Sequence, residues 1–115
     1  MKIKRKSKKN LDSKMLEVLK QTLLDDKVIN LKIIDIRKKS NFADFIILGS
    51  GTSNRHIINM AKNIKEKIKK NFDFNASVEG MEQSNWVLID LSSLVVNIFK
   101  PEARQFYDLE KIWGN

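Results

Sequence analysis

The sequence predicts a single domain of the α/β class, with a mixed sheet of the α+β type, about five strands and flanking helices. Its length of 115 residues suits one domain with one core. Apolar residues recur at helical spacing in two long segments, and five short segments have the composition of strands. The resulting order is helix, strand, strand, helix, strand, strand, strand, helix, which is not the regular alternation of a Rossmann fold.

The first half of the chain is predicted to hold two helices and two strands. Apolar positions three and four residues apart predict a helix over Leu11–Asp26. Ile29–Ile36 is rich in β-branched residues and is predicted to be a strand. Phe45–Leu48 is a continuous apolar run, which is typical of a central strand covered on both faces. A helix then runs from about Asn54 to Lys70, with one apolar stripe and a lysine-rich face toward water.

The second half is predicted to contain a short strand, a hairpin and a final helix. Ala76–Glu79 is the short strand. Val87–Leu91 and Leu94–Phe99 are apolar runs separated only by two serines, which is a hairpin spacing. Pro101 has the fixed φ and missing N–H that suit a first helical turn, and Arg104–Ile112 is predicted to be that helix.

The charge is distributed unevenly along the chain. The formal net charge is +8, and residues 1–10 contribute six cations and no acidic residue. The rest of the chain carries 16 cations against 14 acidic residues, so it is nearly neutral. We therefore predict a basic disordered tail over 1–10 and a folded domain over 11–115. The tail can contact RNA weakly through counterion release, and an RNA-binding module using the tail and the second helix is a third interpretation of the chain.

Several functional classes are disfavoured by composition. The chain has no cysteine, which excludes disulfides and thiolate metal sites. No apolar run approaches the roughly 18–20 residues needed to span a bilayer. The basic start is not followed by an apolar segment, so no export signal is predicted. We expect a cytoplasmic protein without metal or cofactor.

The most enzyme-like segment is the glycine-rich turn Gly49–Asn54 between a strand and a helix. Backbone N–H groups in such a turn can cradle a phosphate. The turn lacks the lysine of a P-loop. The carboxylates that could hold Mg²⁺ are Glu79 and Glu82 around the next strand and Asp90, which stands alone in an apolar run. We favour a tight turn into a capped helix and keep a nucleotide-using enzyme as the alternative. The single histidine, His56, is predicted to occupy a polar surface position.

Trp86 stands at the mouth of the predicted hairpin, beside polar residues. Tryptophan is enriched in protein interfaces and in their energetically dominant positions. No nucleophile–base pair or metal ligand set accompanies it. We therefore interpret Trp86 as part of a docking surface. Asp90, inside the same strand, is predicted either to bond the hairpin backbone or to belong to an exposed rim.

From about Leu11 to Gly114 the chain resembles the ribosomal silencing factor S family, also called Iojap. The resemblance rests on the order and spacing of several short motifs. These are Ala43–Leu48, Gly51–Arg55, Glu79-Gly80, Trp86–Asp90, Val95-Val96, Pro101–Arg104 and Tyr107–Gly114.

The resemblance implies a bacterial or organellar factor that binds the large ribosomal subunit at its fourteenth protein and blocks joining of the small subunit, damping translation when nutrients are short. The lack of a recognisable transit peptide favours a bacterial source. It implies a homodimer, no enzymatic activity, and a nucleotidyltransferase-like fold without the catalytic carboxylates. The residues that it assigns to the docking surface are Trp86, Asp90, Leu91, Phe99, Glu102 and Tyr107.

Three residues, at two places in the chain, depart from the family pattern. Ser92 and Ser93 stand in the hairpin turn where the family usually has glycine and aspartate. Asn97 stands where the family usually has histidine. The first change removes one carboxylate from a turn that is expected to face a basic ribosomal protein.

Overall fold

A computed structural model describes residues 2–82, 85–107 and 111. Within them the chain forms three helices and five strands. In chain order these are α1 (Lys2–Asp25), β1 (Ile29–Asp35), β2 (Phe45–Ser50), α2 (Asn54–Phe72), β3 (Ser77–Glu79), β4 (Trp86–Asp90), β5 (Leu94–Phe99) and α3 (Pro101–Tyr107).

The five strands form one sheet in the order β1-β2-β5-β4-β3. Only β2 and β5 are parallel, and their register runs from Phe45 opposite Leu94 to Ser50 opposite Phe99. The β4–β5 hairpin and the other two neighbouring pairs are antiparallel. The predicted mixed five-stranded sheet with flanking helices is therefore confirmed.

One face of the sheet, here called the helical face, is covered by α1 and α2. The two helices also pack on each other. Ser53 caps the start of α2 by accepting a hydrogen bond from the His56 N–H, and Asp73 ends the helix in the left-handed conformation with φ 53°. The buried apolar side chains of the helices are Met15, Leu19 and Leu23 on α1 and Ile57, Met60, Ala61, Ile64 and Ile68 on α2.

The opposite face of the sheet, here called the outer face, has a second and smaller apolar cluster. Ile46 and Leu48 of β2 are buried there together with Phe99 of β5. Ile36 and Ala43, from the connection between β1 and β2, belong to the same cluster. Helix α3 packs against β5. Unlike the helical face, the outer face keeps partly exposed side chains on β4 and β5.

Two helix starts differ from the sequence prediction. Helix α1 begins at Lys2 rather than Leu11, so helical backbone runs through the segment for which the sequence predicts disorder. That segment has no glycine or proline, and lysine and arginine are good helix formers. Helix α3 begins at Pro101 rather than Arg104, because the Arg104 N–H bonds the Lys100 carbonyl and closes the first turn. No described helix is long and apolar enough to cross a membrane.

Candidate functional site

Three side chains form a partly exposed apolar surface on the outer face, which we call the outer patch: Trp86 and Leu88 of β4 and Val95 of β5. Successive side chains of a strand point to opposite faces of the sheet. Val87 and Ile89 are fully buried under the helices, so Trp86 and Leu88 must point outward. The outer patch is therefore a consequence of the alternation in β4.

The Trp86 side chain is held on two sides by β5. Its ring centroid lies 5.1 Å from that of Phe99, with the planes tilted by 31°. Its Nε1–H donates a hydrogen bond to Asn97 Oδ1 at 2.9 Å. Phe99 and Asn97 are 1% and 3% exposed, so both supports are part of the folded interior. The indole is thus oriented before any partner binds.

Two predicted docking residues are buried rather than accessible. Leu91 is 2% exposed and belongs to the cluster of the helical face. Phe99 is buried beneath Trp86 on the outer face. In this conformation neither side chain offers surface to a partner, so their predicted part in docking is reduced to supporting exposed neighbours.

Asp90 is exposed at the other end of β4 from Trp86. The four residue steps between them correspond to about 13 Å along the strand. Asp90 Oδ1 accepts a hydrogen bond from the Ser92 N–H at 2.8 Å. The predicted bond between this carboxylate and the hairpin backbone is therefore confirmed, and the carboxylate also lies on an exposed rim.

Helix α3 places Glu102 at the same end of the sheet as Trp86. Glu102 is exposed in the first turn of the helix, three residues after Phe99. The Tyr107 side chain lies outside the described part of the structure. Of the predicted set, the structure thus brings together Trp86, Phe99 and Glu102 at one end and leaves Asp90 and Leu91 at the other.

Sequence reasoning missed Leu88 and Val95 as members of the surface. The signal for Leu88 was present, because it lies two residues from Trp86 and shares its face of β4. Val95 lies opposite Asp90 in the antiparallel pair and so faces outward beside Leu88. These two residues extend the apolar surface around the tryptophan.

The glycines of the turn after β2 are explained by close packing. A Cβ atom on Gly49 would lie 2.5 Å from Val28 Cγ2, and one on Gly51 would lie 2.6 Å from Ile57 Cγ1. Neither position has room for a side chain. This agrees with the favoured interpretation, a tight turn into a capped helix.

Two N–H groups of this turn, those of Gly51 and Thr52, form hydrogen bonds inside the protein. The Gly51 N–H donates to the Phe99 carbonyl at 2.9 Å. The Thr52 N–H donates to His56 Nδ1 at 2.9 Å, so in the neutral ring the hydrogen is on Nε2. His56 Nε2–H then donates to the Asp26 carbonyl oxygen at 2.6 Å. His56 is half-buried and ties the turn to the end of α1, so it has a structural part beyond the predicted polar surface position.

The carboxylates required by the nucleotide alternative are not assembled near the turn. Glu79 and Asp90 lie on β3 and β4, and β5 separates β4 from β2, which carries the glycines. Asp90 is also at the opposite end of its strand from the turn. Among the described residues, no group of three or more histidine, aspartate or glutamate side chains comes together to hold a metal ion.

A basic groove of about 510 Å³ lies along α2. It is lined by four lysines of the helix together with Glu66 and Asn75: Lys62, Lys65, Lys69 and Lys70. Lys69 also pairs with Asp73 at 2.7 Å, and this pairing lowers the pKa of the Asp73 carboxyl. Since α2 covers the helical face, the groove and the outer patch are on opposite sides of the sheet.

Comparison with known proteins gives a consistent result. A family model described as "Ribosomal silencing factor during starvation" matches residues 8–115. A ribosomal silencing factor from Zymomonas mobilis is 33% identical, over 96% of this chain and 84% of its own length. One from Haemophilus influenzae is 34% identical, over 87% of this chain and 98% of its own. A crystal structure of a Chromobacterium violaceum protein superposes with a TM-score of 0.85 at 28% identity, covering 90% of this chain and 86% of the other.

Proposed function

The chain belongs to the ribosomal silencing factor family, and on that basis we propose that it represses translation by occupying the large ribosomal subunit so that the small subunit cannot join. The proposed binding partner on that subunit is its fourteenth protein. We further propose that the factor acts in the cytoplasm, without enzymatic activity, and as a homodimer.

The outer patch is the observation that supports docking. Its tryptophan is partly exposed, oriented by two buried neighbours and flanked by Leu88 and Val95. Aromatic residues held in this way dominate the binding free energy of many protein interfaces, because they bury a large area at a small loss of conformational entropy. A surface of this kind is suited to a protein partner.

The charges near the outer patch are suited to a basic partner. Glu102 and Asp90 are exposed at the two ends of the surface formed by β4 and the start of α3. Rim charges of this kind mainly increase the association rate and the selectivity of binding. Together with the oriented tryptophan, they favour a ribosomal protein over bare RNA as the direct contact.

Repression by occlusion requires no chemistry at the site. A bound domain of 13.4 kDa excludes any partner whose surface overlaps its position on the subunit. The efficiency of repression then follows from affinity and position alone. This proposal is consistent with a turn after β2 whose glycines and amide groups serve packing and internal hydrogen bonds.

Co-sedimentation with separated ribosomal subunits tests the proposal. The wild-type protein is expected to migrate with the large subunit only and to reduce the amount of joined ribosomes after the small subunit is added. The Trp86→Ala variant is expected to bind about thirtyfold more weakly or worse, since loss of a dominant interface residue typically removes ~2 kcal/mol or more.

Leu24→Ala is the matched control, because Leu24 is 47% exposed at the end of α1, away from the outer patch. It should bind as the wild type does. Unchanged binding and repression by Trp86→Ala would show that the site is wrong. Equal, salt-sensitive binding to both subunits would show that the basic segment is responsible instead.

The enzyme alternative has a separate test. Calorimetry with Mg²⁺ and each nucleoside triphosphate should show no micromolar binding. Binding that disappears when Glu79 or Asp90 is replaced would instead favour a nucleotide-using enzyme.

A further inference from the structure

We propose that Asn97 is the positioning residue of the docking surface. Its carboxamide fixes the Trp86 indole and satisfies the indole N–H before a partner arrives. The part of this inference that concerns docking rests on the proposed function, whereas the part that concerns the indole can be tested on the isolated protein.

The register of the hairpin makes this contact possible. Trp86 lies opposite Phe99, and Asn97 lies opposite Leu88, so Asn97 is the diagonal neighbour of Trp86 on the outer face. The Nε1–H to Oδ1 distance is 2.9 Å, which is a normal hydrogen bond. The indole nitrogen can only donate, so the amide atom that faces it must be the oxygen.

The physical effect of Asn97 is largest when a partner is bound. In the free protein Trp86 is partly exposed, so an indole N–H without Asn97 can bond water instead. A docked partner excludes that water, and an unpaired buried donor is then unfavourable. Removal of the Asn97 oxygen should therefore weaken docking more than it weakens folding.

The same hydrogen bond restricts what the partner can offer to the indole. Because the N–H is already paired inside the protein, the accessible part of the ring presents its π face and C–H edges. These surfaces pack against aliphatic groups or attract a cation, whereas a hydrogen-bond acceptor gains nothing there.

Two substitutions with the same chemistry separate docking from stability. Asn97→Leu removes the bond to the indole. Asn63→Leu removes a comparable side-chain bond, from Asn63 Nδ2 to Asp26 Oδ2 at 2.8 Å, on the helical side of the molecule. Asn97→His is the rescue variant, since an imidazole nitrogen can accept a hydrogen bond from the indole N–H.

We expect Asn97→Leu to bind large subunits about threefold to tenfold more weakly, the factor that corresponds to one neutral hydrogen bond. Asn63→Leu should bind as the wild type does, and Asn97→His should recover most of the loss. Binding is measured at a temperature at which every variant is shown to be folded by circular dichroism.

The NMR signal of the Trp86 indole N–H gives the second measurement. It is identified by its absence in Trp86→Phe and should shift in Asn97→Leu but not in Asn63→Leu. The positioning role would be overturned by an indole N–H signal that does not shift in Asn97→Leu. It would also be overturned if Asn97→Leu bound large subunits as the wild type does, or if both leucine variants lost the same binding affinity. If the wild-type protein does not bind large subunits, the proposed function and the docking part of this inference are overturned. The NMR signal still tests whether Asn97 accepts the hydrogen bond from the Trp86 indole.

Discussion

Trp86 and Phe99 occupy directly opposite positions on β4 and β5, with their ring centroids 5.1 Å apart. The Trp86 ring is partly exposed and the Phe99 side chain is 1% exposed, so the pair joins the outer patch to the buried cluster of the outer face. A substitution of the buried Phe99 should therefore change the orientation of the partly exposed Trp86 ring.

A double-mutant cycle on this pair should reveal direct coupling. Trp86→Leu, Phe99→Leu and the double variant are compared by urea unfolding. Offset or tilted aromatic pairs contribute about 0.5–1.5 kcal/mol beyond their buried area, and we expect a coupling free energy in that range. A coupling near zero would show that Phe99 supports the cluster without orienting the indole.

Leu88→Ala is expected to weaken large-subunit binding by about threefold or more, because it removes apolar area from the outer patch. Leu88 is only half-buried, so the free energy of unfolding should change little. Leu24→Ala is the control, since it makes the same substitution at a leucine that is 47% exposed at the end of α1, away from the outer patch. A loss of binding in the control as large as that in Leu88→Ala would show that the contact surface is centred elsewhere.

Local patterns predicted most elements of the fold. The apolar stripe of α2 and the two runs of the β4–β5 hairpin were visible because both repeat at the period of their structure. The strand order was not predictable, since the parallel contact of β2 with β5 joins residues about fifty positions apart, and nothing local specifies it.

The proposed docking surface was predicted less completely than the fold. Trp86 was predicted to be a docking residue from its motif and from its position at the hairpin mouth, and its docking role stays a prediction. The burial of Leu91 and Phe99 was not predicted. Alternation along a strand shows which face of the sheet a side chain is on, but it does not show which segments cover that face. On the outer face the cover includes the connection between β1 and β2, which has no periodic signal in sequence.

Ser92→Gly should stabilise the protein by about 0.5–1 kcal/mol, because glycine adopts a left-handed conformation without the steric penalty of a Cβ atom. Ser92 has φ 72°, in the left-handed region that is less favourable for serine than for glycine. Ser93→Gly is the control, since Ser93 is buried and has no positive φ, and it should give no gain. Thermal or urea unfolding measures both, and equal gains would place the strain elsewhere in the turn.

Gly49→Ala should destabilise the fold by about 1–3 kcal/mol, because the new Cβ atom would overlap with Val28. The distance to Val28 Cγ2 would be 2.5 Å, and a β-branched side chain has little freedom to move away. Val28→Ala in the same chain should recover part of the loss, and the cycle is measured by urea unfolding. If Gly49→Ala kept full stability but lost binding of a nucleotide, close packing against Val28 would not be the reason that glycine is needed at this position.

The carboxylate of Asp35 should titrate well below its usual range. The Arg37 guanidinium donates to both of its oxygens, at 2.9 Å from Nε to Oδ1, and the Arg37 backbone N–H adds a bond at 3.0 Å. These bonds lower the pKa of Asp35 from 3.8 to about 2. Because the ionised form is favoured in the folded state, the stabilisation is complete above the ordinary pKa and is lost as the pH falls toward 2.

Replacement of Arg37 by glutamine should raise the pKa of Asp35 toward 3.8 without reaching it, because the backbone N–H of residue 37 still donates to the carboxylate. NMR titration of the side-chain carboxyl measures this directly. Lys69→Gln is the matched control, since it removes the partner of Asp73 and should raise the pKa of that carboxyl alone. An Asp35 pKa that does not respond to Arg37→Gln would show that the exposed pair is broken by water in solution, and the acid sensitivity of the fold would then have to originate from other carboxylates.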